Sequence, residues 1–145
     1  CRETGVLPIT DPRMTRFWIT LEQGVNFVLN CLETMVGGEL FVPKLPSMNI
    51  MDLAKVIAPE CKTDIIGIRP GEKLHEVMIP KDDARRTIEY GDHYVIQPDF
   101  AFWESRFNHN GVKSVPDEFE YNSGDNPRTL TADEMREIIK SLVTP

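Results

Sequence analysis

The chain has 145 residues, enough for one domain with a hydrophobic core, and its 41% hydrophobic and 27% charged residues are typical of globular proteins. The formal net charge of −7 argues against a nucleic-acid-binding surface, which needs clustered positive charge. No apolar run approaches the roughly 18 residues that would span a membrane, so we expect neither nucleic acid nor membrane as a partner.

The three cysteines and three histidines are scattered along the chain. A zinc site would show pairs of these residues at short spacing, and none is present, so we expect no metal. We expect the cysteines to be reduced thiols and the protein to be cytoplasmic.

Residues 1–14, with two prolines, predict an extended connection. The clearest helix follows. Thr20 and Gln23 match a capping box at its start, and Gly37 and Gly38 are predicted to end it. Its apolar face recurs at spacings of three and four and comprises Trp18, Leu21, Val25, Val28, Leu29 and Leu32.

The later elements predict an α/β domain with a small mixed sheet and helices. They are a strand over 39–43, a helix over 50–58 capped by Ser47 or Asn49, a strand over 63–68, a short helix over 74–78, a hairpin over 87–90 and 93–96, and a last helix over 132–143. The apolar faces predicted for the second and last helices comprise Ile50, Leu53, Ala54 and Ile57, and Met135, Ile138, Ile139 and Leu142, respectively. We assign residues 1–98 to one α/β part, and residues 99–145 to an aromatic loop and a helix that pack on the same domain.

The stretch Arg69-Pro70-Gly71-Glu72 combines rigidity with charge. Pro70 fixes its own φ and pushes Arg69 into an extended conformation, and Gly71 accommodates the turn that follows. A stiffly held guanidinium can fork onto a phosphate pair, and the carboxylate of Glu72 can accept hydrogen bonds from hydroxyls. The pattern is typical of a clamp for a diphosphate-linked sugar, although an ordinary surface turn with an Arg–Glu pair has the same spacing.

Two other charged residues invite a functional interpretation. Arg16 comes just before the first helix, where backbone N–H groups and the helix dipole favour anions, but it could equally be an exposed arginine. His75 and Glu76 could indicate acid–base chemistry. We favour a structural role for them, because no nucleophile or partner base is placed beside them in the sequence.

Two motifs resemble those of extended short-chain dehydrogenase/reductases that act on nucleotide sugars. They are Thr-Arg-Phe-Trp-Ile-Thr at 15–20 and Arg-Pro-Gly-Glu at 69–72. The longer runs at 10–20, 38–44 and 65–81 resemble the inverting UDP-N-acetylglucosamine 4,6-dehydratases of that family. The resemblance is strong over residues 6–97 and continues more loosely to the last helix.

This resemblance implies a two-part enzyme. An N-terminal Rossmann half binds NADP and carries a glycine-rich loop and a catalytic Tyr-x-x-x-Lys pair, and this sequence contains neither. We therefore expect the chain to correspond to the C-terminal, UDP-sugar-binding part, with the Rossmann half absent and with no catalytic, cofactor-binding or metal-binding residue of its own.

The resemblance also implies roles for five residues. Arg16 and Arg69 would contact the UDP diphosphate. Glu72 would accept a hydrogen bond from the ribose, at a position where the wider family usually has aspartate. Thr15 and Met14 would line the uridine pocket.

Two functions stay open at this point. The first is the substrate-binding part of a C5-inverting dehydratase that makes UDP-2-acetamido-2,6-dideoxy-beta-L-arabino-hex-4-ulose for pseudaminic acid, the sugar of bacterial flagellins, or for surface polysaccharide. Its partners would be UDP-N-acetylglucosamine, its own Rossmann half and further copies of the parent protein, and the chain alone would be inactive. The second is a free-standing, non-catalytic module for UDP-sugar binding or assembly.

Overall fold

A computed structural model describes residues 4–99 and 112–143. Within these ranges the helices are α1 (Leu21–Thr34), α2 (Ile50–Ile57) and α3 (Ala132–Val143), and a 3-10 helix covers Lys81–Arg86. The strands are β1 (Val6–Ile9), β2 (Thr15–Phe17), β3 (Leu40–Pro43), β4 (Ser47–Asn49), β5 (Lys62–Ile65), β6 (Val77–Ile79), β7 (Thr87–Glu89), β8 (His93–Ile96), β9 (Lys113–Ser114) and β10 (Tyr121–Asn122).

These strands form small separate sheets rather than one large sheet. Strands β1 and β5 pair in parallel, whereas β2 pairs with β4, and β6 with β10, in antiparallel fashion. A four-stranded antiparallel sheet has the order β3-β8-β7-β9 and contains the predicted hairpin. The predicted α/β class with small sheets and helices is confirmed, and parallel and antiparallel pairs lie in different sheets.

The chain divides into two compact units. The first unit comprises Cys1–Trp18, Leu45–Glu76 and Ser123–Pro145, and the second comprises Ile19–Lys44 and Val77–Asn122. The division at residue 98 that the sequence suggested stays a prediction, and residues 100–111 of its aromatic loop lie outside the described residues.

The core of the first unit is built where α2 and α3 meet β4. Met48 and Met135 are 3% and 2% exposed, and Leu130 is buried with them. Apolar residues that pack against this cluster are Trp18, Leu53, Val56, Ile138 and Ile139. In the second unit the four-stranded sheet has a buried centre, where Val95 is fully inaccessible to solvent.

Helix α1 begins as predicted. The Thr20 side chain accepts from the Gln23 backbone N–H, and the Gln23 side chain accepts from the Thr20 backbone N–H. The predicted end is wrong, because the helix stops at Thr34 and its C-cap, Met35, is extended. The carboxylate of Glu39 accepts from the N–H groups of residues 36 and 37, which holds the turn after the helix without a glycine cap.

The apolar face of α1 is exposed. No residue of the helix is buried. A groove of ≈ 480 Å³ runs along this face and is lined by Ile19, Thr20, Leu21, Gly24, Val25, Val28 and Leu29. The amphipathic pattern is therefore present, and its apolar side is accessible to a partner.

Helix α2 begins at one of its predicted caps, and α3 begins at its predicted first residue. Asn49, one of the two cap candidates, accepts from the Met51 N–H at 2.7 Å. Thr131 and Glu134 form the capping box of α3. The predicted apolar faces are wrong at two residues, since Ile57 is 61% exposed and Leu142 is 63% exposed.

Three segments refine or contradict the predictions. Within the predicted extended connection, residues 6–9 form a strand that pairs with β5. The strand predicted over 63–68 ends at Ile65, shortly before Gly67 takes a φ of 86°. The predicted helix over 74–78 is wrong, because β6 instead pairs with β10.

Cys31 is a free thiol, and burial raises its pKa. The prediction of reduced thiols is wrong for Cys61, which is disulfide-bonded. Across residues 4–99 and 112–143 there is no group of three or more His, Cys, Asp or Glu side chains that could hold a metal ion. The same part of the chain contains no helix that is long and apolar enough to cross a bilayer.

Candidate functional site

The Arg69–Glu72 turn is closed by two hydrogen bonds. The Glu72 N–H donates to the Arg69 carbonyl oxygen at 3.1 Å, and the Arg69 N–H donates to Glu72 Oε2 at 2.9 Å. Gly71 has a φ of 85°, a conformation in which a side chain would be strained. The turn is therefore as stiff as Pro70 and Gly71 predict.

The two charged side chains of this turn differ in how many of their hydrogen-bonding groups are unused. Arg69 is exposed, and its guanidinium makes no hydrogen bond or ion pair with any described residue. Its five N–H donors can therefore fork onto an anion without losing an existing bond. The Glu72 carboxylate accepts one hydrogen bond, from the Arg69 N–H, and can accept others from a ligand hydroxyl.

Arg16 is already bound within the protein. It lies in β2, which pairs with β4, and its side chain is 27% exposed. Its guanidinium faces five acceptors: the carbonyl oxygens of Thr15 (2.7 Å), Lys73 (3.0 Å) and Leu74 (3.2 Å), Met14 Sδ (3.6 Å) and the carboxylate of Glu76 (3.4 Å). Arg16 thus holds the segment that follows the Arg69–Glu72 turn.

Met14 is only 3% exposed. Its main chain is also engaged, because its N–H donates to the Asp11 carbonyl and its carbonyl accepts from Ile50. Met14 therefore supports the neighbouring strand from the protein interior. Its predicted contact with uridine stays a prediction.

Thr15 belongs to a cluster that the sequence did not reveal. Its Oγ1 lies 2.8 Å from His75 Nδ1 and 2.7 Å from Ser123 Oγ. Ser123 is buried, and its Oγ accepts from the Glu76 N–H at 2.9 Å. These partners are 60 and 108 residues from Thr15 along the chain, so no local pattern could have indicated them.

The charges near the site are partly compensated. Glu76 pairs with Arg16, and Asp11 pairs with Arg13 at 2.8 Å. The hydrogen bonds from Arg13 lower the pKa of Asp11 to about 2, so that carboxylate stays ionised. Arg69 and Lys73 are exposed and form no ion pair within the described residues, which leaves this segment attractive to an anion.

Lys44, in one of the runs that carry the resemblance, has a structural task in the second unit. Its ammonium donates to Glu89 at 2.7 Å and to the Tyr90 carbonyl at 2.6 Å, and lies 4.9 Å from the centre of the Tyr94 ring. Burial raises the pKa of Tyr94 to about 12, so the ring stays neutral.

Comparison with known proteins identifies the family. Residues 1–98 match the model of the family described as "Polysaccharide biosynthesis protein". The chain belongs to this family. The match covers β1 to β8 and includes the segment from Met14 to Glu76, whereas Ser123 lies beyond it.

Two relatives of known name are similar to almost the whole chain. The chain is 50% identical to UDP-N-acetylglucosamine 4,6-dehydratase (inverting) of Campylobacter jejuni subsp. jejuni serotype O:2 over 92% of its own length and 42% of that protein. It is 34% identical to UDP-glucose 4-epimerase of Rickettsia canadensis over 94% of its own length and 41% of that protein. The resemblance seen in the motifs is confirmed, and the chain spans less than half the length of these members.

A solved structure supports the fold. The X-ray structure of Pen from Bacillus thuringiensis matches 97% of this chain and 43% of its own chain, with a TM-score of 0.78 and 25% identity. The family assignment does not test individual residues. The roles expected for Arg16, Arg69, Glu72, Thr15 and Met14 therefore stay predictions.

Proposed function

We propose that this chain is the UDP-sugar-binding part of a C5-inverting UDP-N-acetylglucosamine 4,6-dehydratase. The 50% identity to such an enzyme carries the proposal. The product would be UDP-2-acetamido-2,6-dideoxy-beta-L-arabino-hex-4-ulose, supplied to pseudaminic acid and flagellin glycosylation or to surface polysaccharide.

The geometry of the first unit supports nucleotide binding. Arg69 offers a fully available guanidinium on a stiff turn, which suits bidentate contact with a diphosphate. Glu72 beside it has acceptor capacity for the ribose, and Thr15 and Met14, next to Arg16 in the chain, would line the uridine pocket. Arg16 would reach the diphosphate by exchanging some of its carbonyl partners, and otherwise it holds the turn in position.

The role of this chain in catalysis would be to bind and orient. Binding free energy collected on the UDP, away from the reacting sugar, positions the sugar for reaction. NADP, bound by the Rossmann half of the parent protein, would supply the hydride transfer chemistry. The exposed apolar face of α1 supports a partner there, either that half or another copy in a homo-oligomer.

Titration of UDP into the full-length protein tests the site. We expect Arg69→Ala to weaken UDP binding by about 2–5 kcal/mol, because a charged partner of the diphosphate is lost. Arg85→Ala is the matched control, since Arg85 is also exposed, makes no described ion pair and lies in the second unit. Unchanged UDP affinity in Arg69→Ala would remove Arg69 from the site.

The alternative is a free-standing module that binds UDP-sugars or assembles with other proteins. It is favoured by the sequence itself, because Tyr90, Tyr94 and Tyr121 are not followed by Lys at the fourth position. We expect no dehydration of UDP-N-acetylglucosamine by the 145-residue chain with added NADP. Turnover by this chain would contradict both functions, whereas Rossmann motifs encoded upstream of Cys1 would decide for the enzyme.

The cytoplasm is the expected location of the parent protein. Disulfides are rare in the cytosol, so a cytoplasmic parent protein would carry Cys61 as a thiol and not as the disulfide of this structure. Alkylation of the native protein without reductant, followed by mass spectrometry, tests this. An alkylated Cys61 would support the cytoplasm, and a protected Cys61 would contradict it.

A further inference from the structure

We propose that His75 is a ligand for a phosphoryl oxygen of the bound nucleoside diphosphate, presented through its Nε2 atom. The inference rests on the proposed function and adds a residue to its site. His75 is exposed, yet its ring is held in one position by groups from two distant parts of the chain, Thr15 and residues 123–124. An exposed side chain that is held this firmly is prepared to meet a ligand.

The first restraint acts on Nδ1. Thr15 Oγ1 lies 2.8 Å from this atom, and Ser123 Oγ lies 2.7 Å from Thr15 Oγ1. Ser123 is itself fixed, because its Oγ accepts from the Glu76 N–H at 2.9 Å and lies 3.1 Å from the Thr15 carbonyl oxygen. The ring nitrogen on this side is therefore fully used.

The two hydroxyls also allow His75 to carry a proton on Nε2. When Ser123 donates to Thr15 Oγ1, Thr15 can donate to Nδ1, and the neutral ring then has its hydrogen on Nε2. When the ring is protonated, Nδ1 donates to Thr15, Thr15 donates to Ser123, and Ser123 donates to the Thr15 carbonyl. In both of these arrangements every hydroxyl is satisfied and Nε2 is a donor, whereas a neutral ring with its hydrogen on Nδ1 would leave Nε2 an acceptor. A bound phosphoryl oxygen therefore selects the first two arrangements.

The second restraint is the backbone at Gly124. A Cβ on this residue would lie 2.6 Å from His75 Cγ and 2.7 Å from Nδ1, so the ring lies directly on the glycine. Gly124 does not have a positive φ, which means that its backbone conformation does not itself require glycine. The missing side chain makes room for the imidazole.

The surroundings of the ring favour an anion. His75 follows Lys73, whose carbonyl is bound by the Arg16 guanidinium, and the Arg69–Glu72 turn lies just before it. The adjacent carboxylate, Glu76, is paired with Arg16. Nε2 forms no hydrogen bond with any described residue, so a phosphoryl oxygen would find an unused donor on a segment that also carries the exposed side chains of Arg69 and Lys73.

Two substitutions at His75 in the full-length protein separate ligand binding from a structural role. His75→Asn keeps a polar atom near Nδ1 but removes Nε2, whereas His75→Gln places an amide nitrogen close to the Nε2 position. By calorimetry we expect His75→Asn to bind UDP about ten- to a hundredfold more weakly, as for the loss of a hydrogen bond to a charged group. We expect His75→Gln to recover part of this loss, and both variants to bind uridine, which has no phosphate, like the wild type.

A third substitution moves the ring without changing it. Gly124→Ala pushes the imidazole aside and should also weaken UDP binding while leaving uridine binding unchanged. Gly91→Ala is the matched control, because a Cβ there meets no atom within 4 Å and its φ is not positive. The control should bind UDP like the wild type.

Several outcomes would overturn the inference. Wild-type UDP affinity in His75→Asn would leave His75 with a structural role only, and the proposed function would stand. Equal losses for UDP and uridine would point to a disturbed fold instead of a phosphate contact. A wild-type protein that does not bind UDP would remove both the inference and the proposed function.

Discussion

Two arginines with similar sequence signals do different work at the residue scale. Arg69 has an available guanidinium, whereas Arg16 is bound to main-chain carbonyls and to Glu76. An exposed arginine without partners contributes little to folding, whereas one that satisfies several main-chain acceptors contributes more. The two should therefore separate in stability measurements even if both reduce UDP binding.

We expect Arg16→Lys to lower the free energy of unfolding by about 2 kcal/mol, because one ammonium cannot replace the planar fork that reaches Lys73 and Leu74. Urea denaturation of the wild type, Arg16→Lys and Arg69→Lys measures this difference. Hydrogen exchange should show faster exchange near residues 73–76 in Arg16→Lys alone. Equal stability of all three proteins would contradict the anchoring role.

The sequence predicted only the local half of the site. The Arg69–Glu72 turn was recognisable because Pro70 and Gly71 act within four residues. The cluster of Thr15, His75 and Ser123 was not, because its members meet only through the fold. A structural role was expected for His75 for want of a partner, and the structure supplies Thr15 as that partner.

At the element scale, the cap at the start of α3 depends on pH. Hydrogen bonds from Thr131 and Arg128 lower the pKa of Glu134 from 4.5 to about 2 in the folded protein. Because the folded-state pKa is the lower one, this stabilisation is complete above pH 4.5 and is lost as the pH falls toward 2. The start of α3 should therefore weaken over that interval.

Thermal unfolding between pH 7 and pH 2.5 tests this expectation. Glu134→Gln keeps an acceptor for the cap but cannot titrate, so its Tm should fall less steeply below pH 4.5 than that of the wild type. Glu137→Gln in the same helix is the control, since Glu137 forms an exposed pair with Lys140 and no cap. Parallel curves for Glu134→Gln and the wild type would refute the linkage.

Helices were easier to predict than strands for a physical reason. A cap and an apolar repeat are contained within one helix, so α1, α2 and α3 were found with their first residues. Strands of two to four residues owe their existence to distant partners, as β6 does to β10. The spacing of Leu74, Val77 and Met78 fits a helix equally well, and tertiary pairing decided against it.

At the scale of the whole molecule, the apolar face of α1 is exposed and has no described partner. Its apolar residues are Leu21 (83% exposed), Val25 (50%), Val28 (55%), Leu29 (53%) and Leu32 (60%). Apolar surface of this kind marks a site of association. We therefore expect the 145-residue chain by itself to self-associate through α1.

Sedimentation velocity of the chain tests this association. Val28→Gln combined with Leu32→Gln should shift the population toward monomer and leave Tm nearly unchanged, because both side chains already face solvent. Glu22→Gln combined with Asn26→Gln alters the same helix without touching its apolar face and should behave like the wild type. A wild-type chain that stays monomeric at high concentration would contradict the prediction.

The hydrogen bonds of Ser123 determine when the candidate site can form during protein synthesis. They join Thr15 from the first segment of the first unit to Glu76 from the second, and Ser123 itself belongs to the third. During synthesis the ribosome releases these segments one after another, with stretches of the second unit in between. The cluster of Thr15, His75 and Ser123 can therefore form only after residue 123 has left the ribosome, whereas the Arg69–Glu72 turn is closed by its own hydrogen bonds.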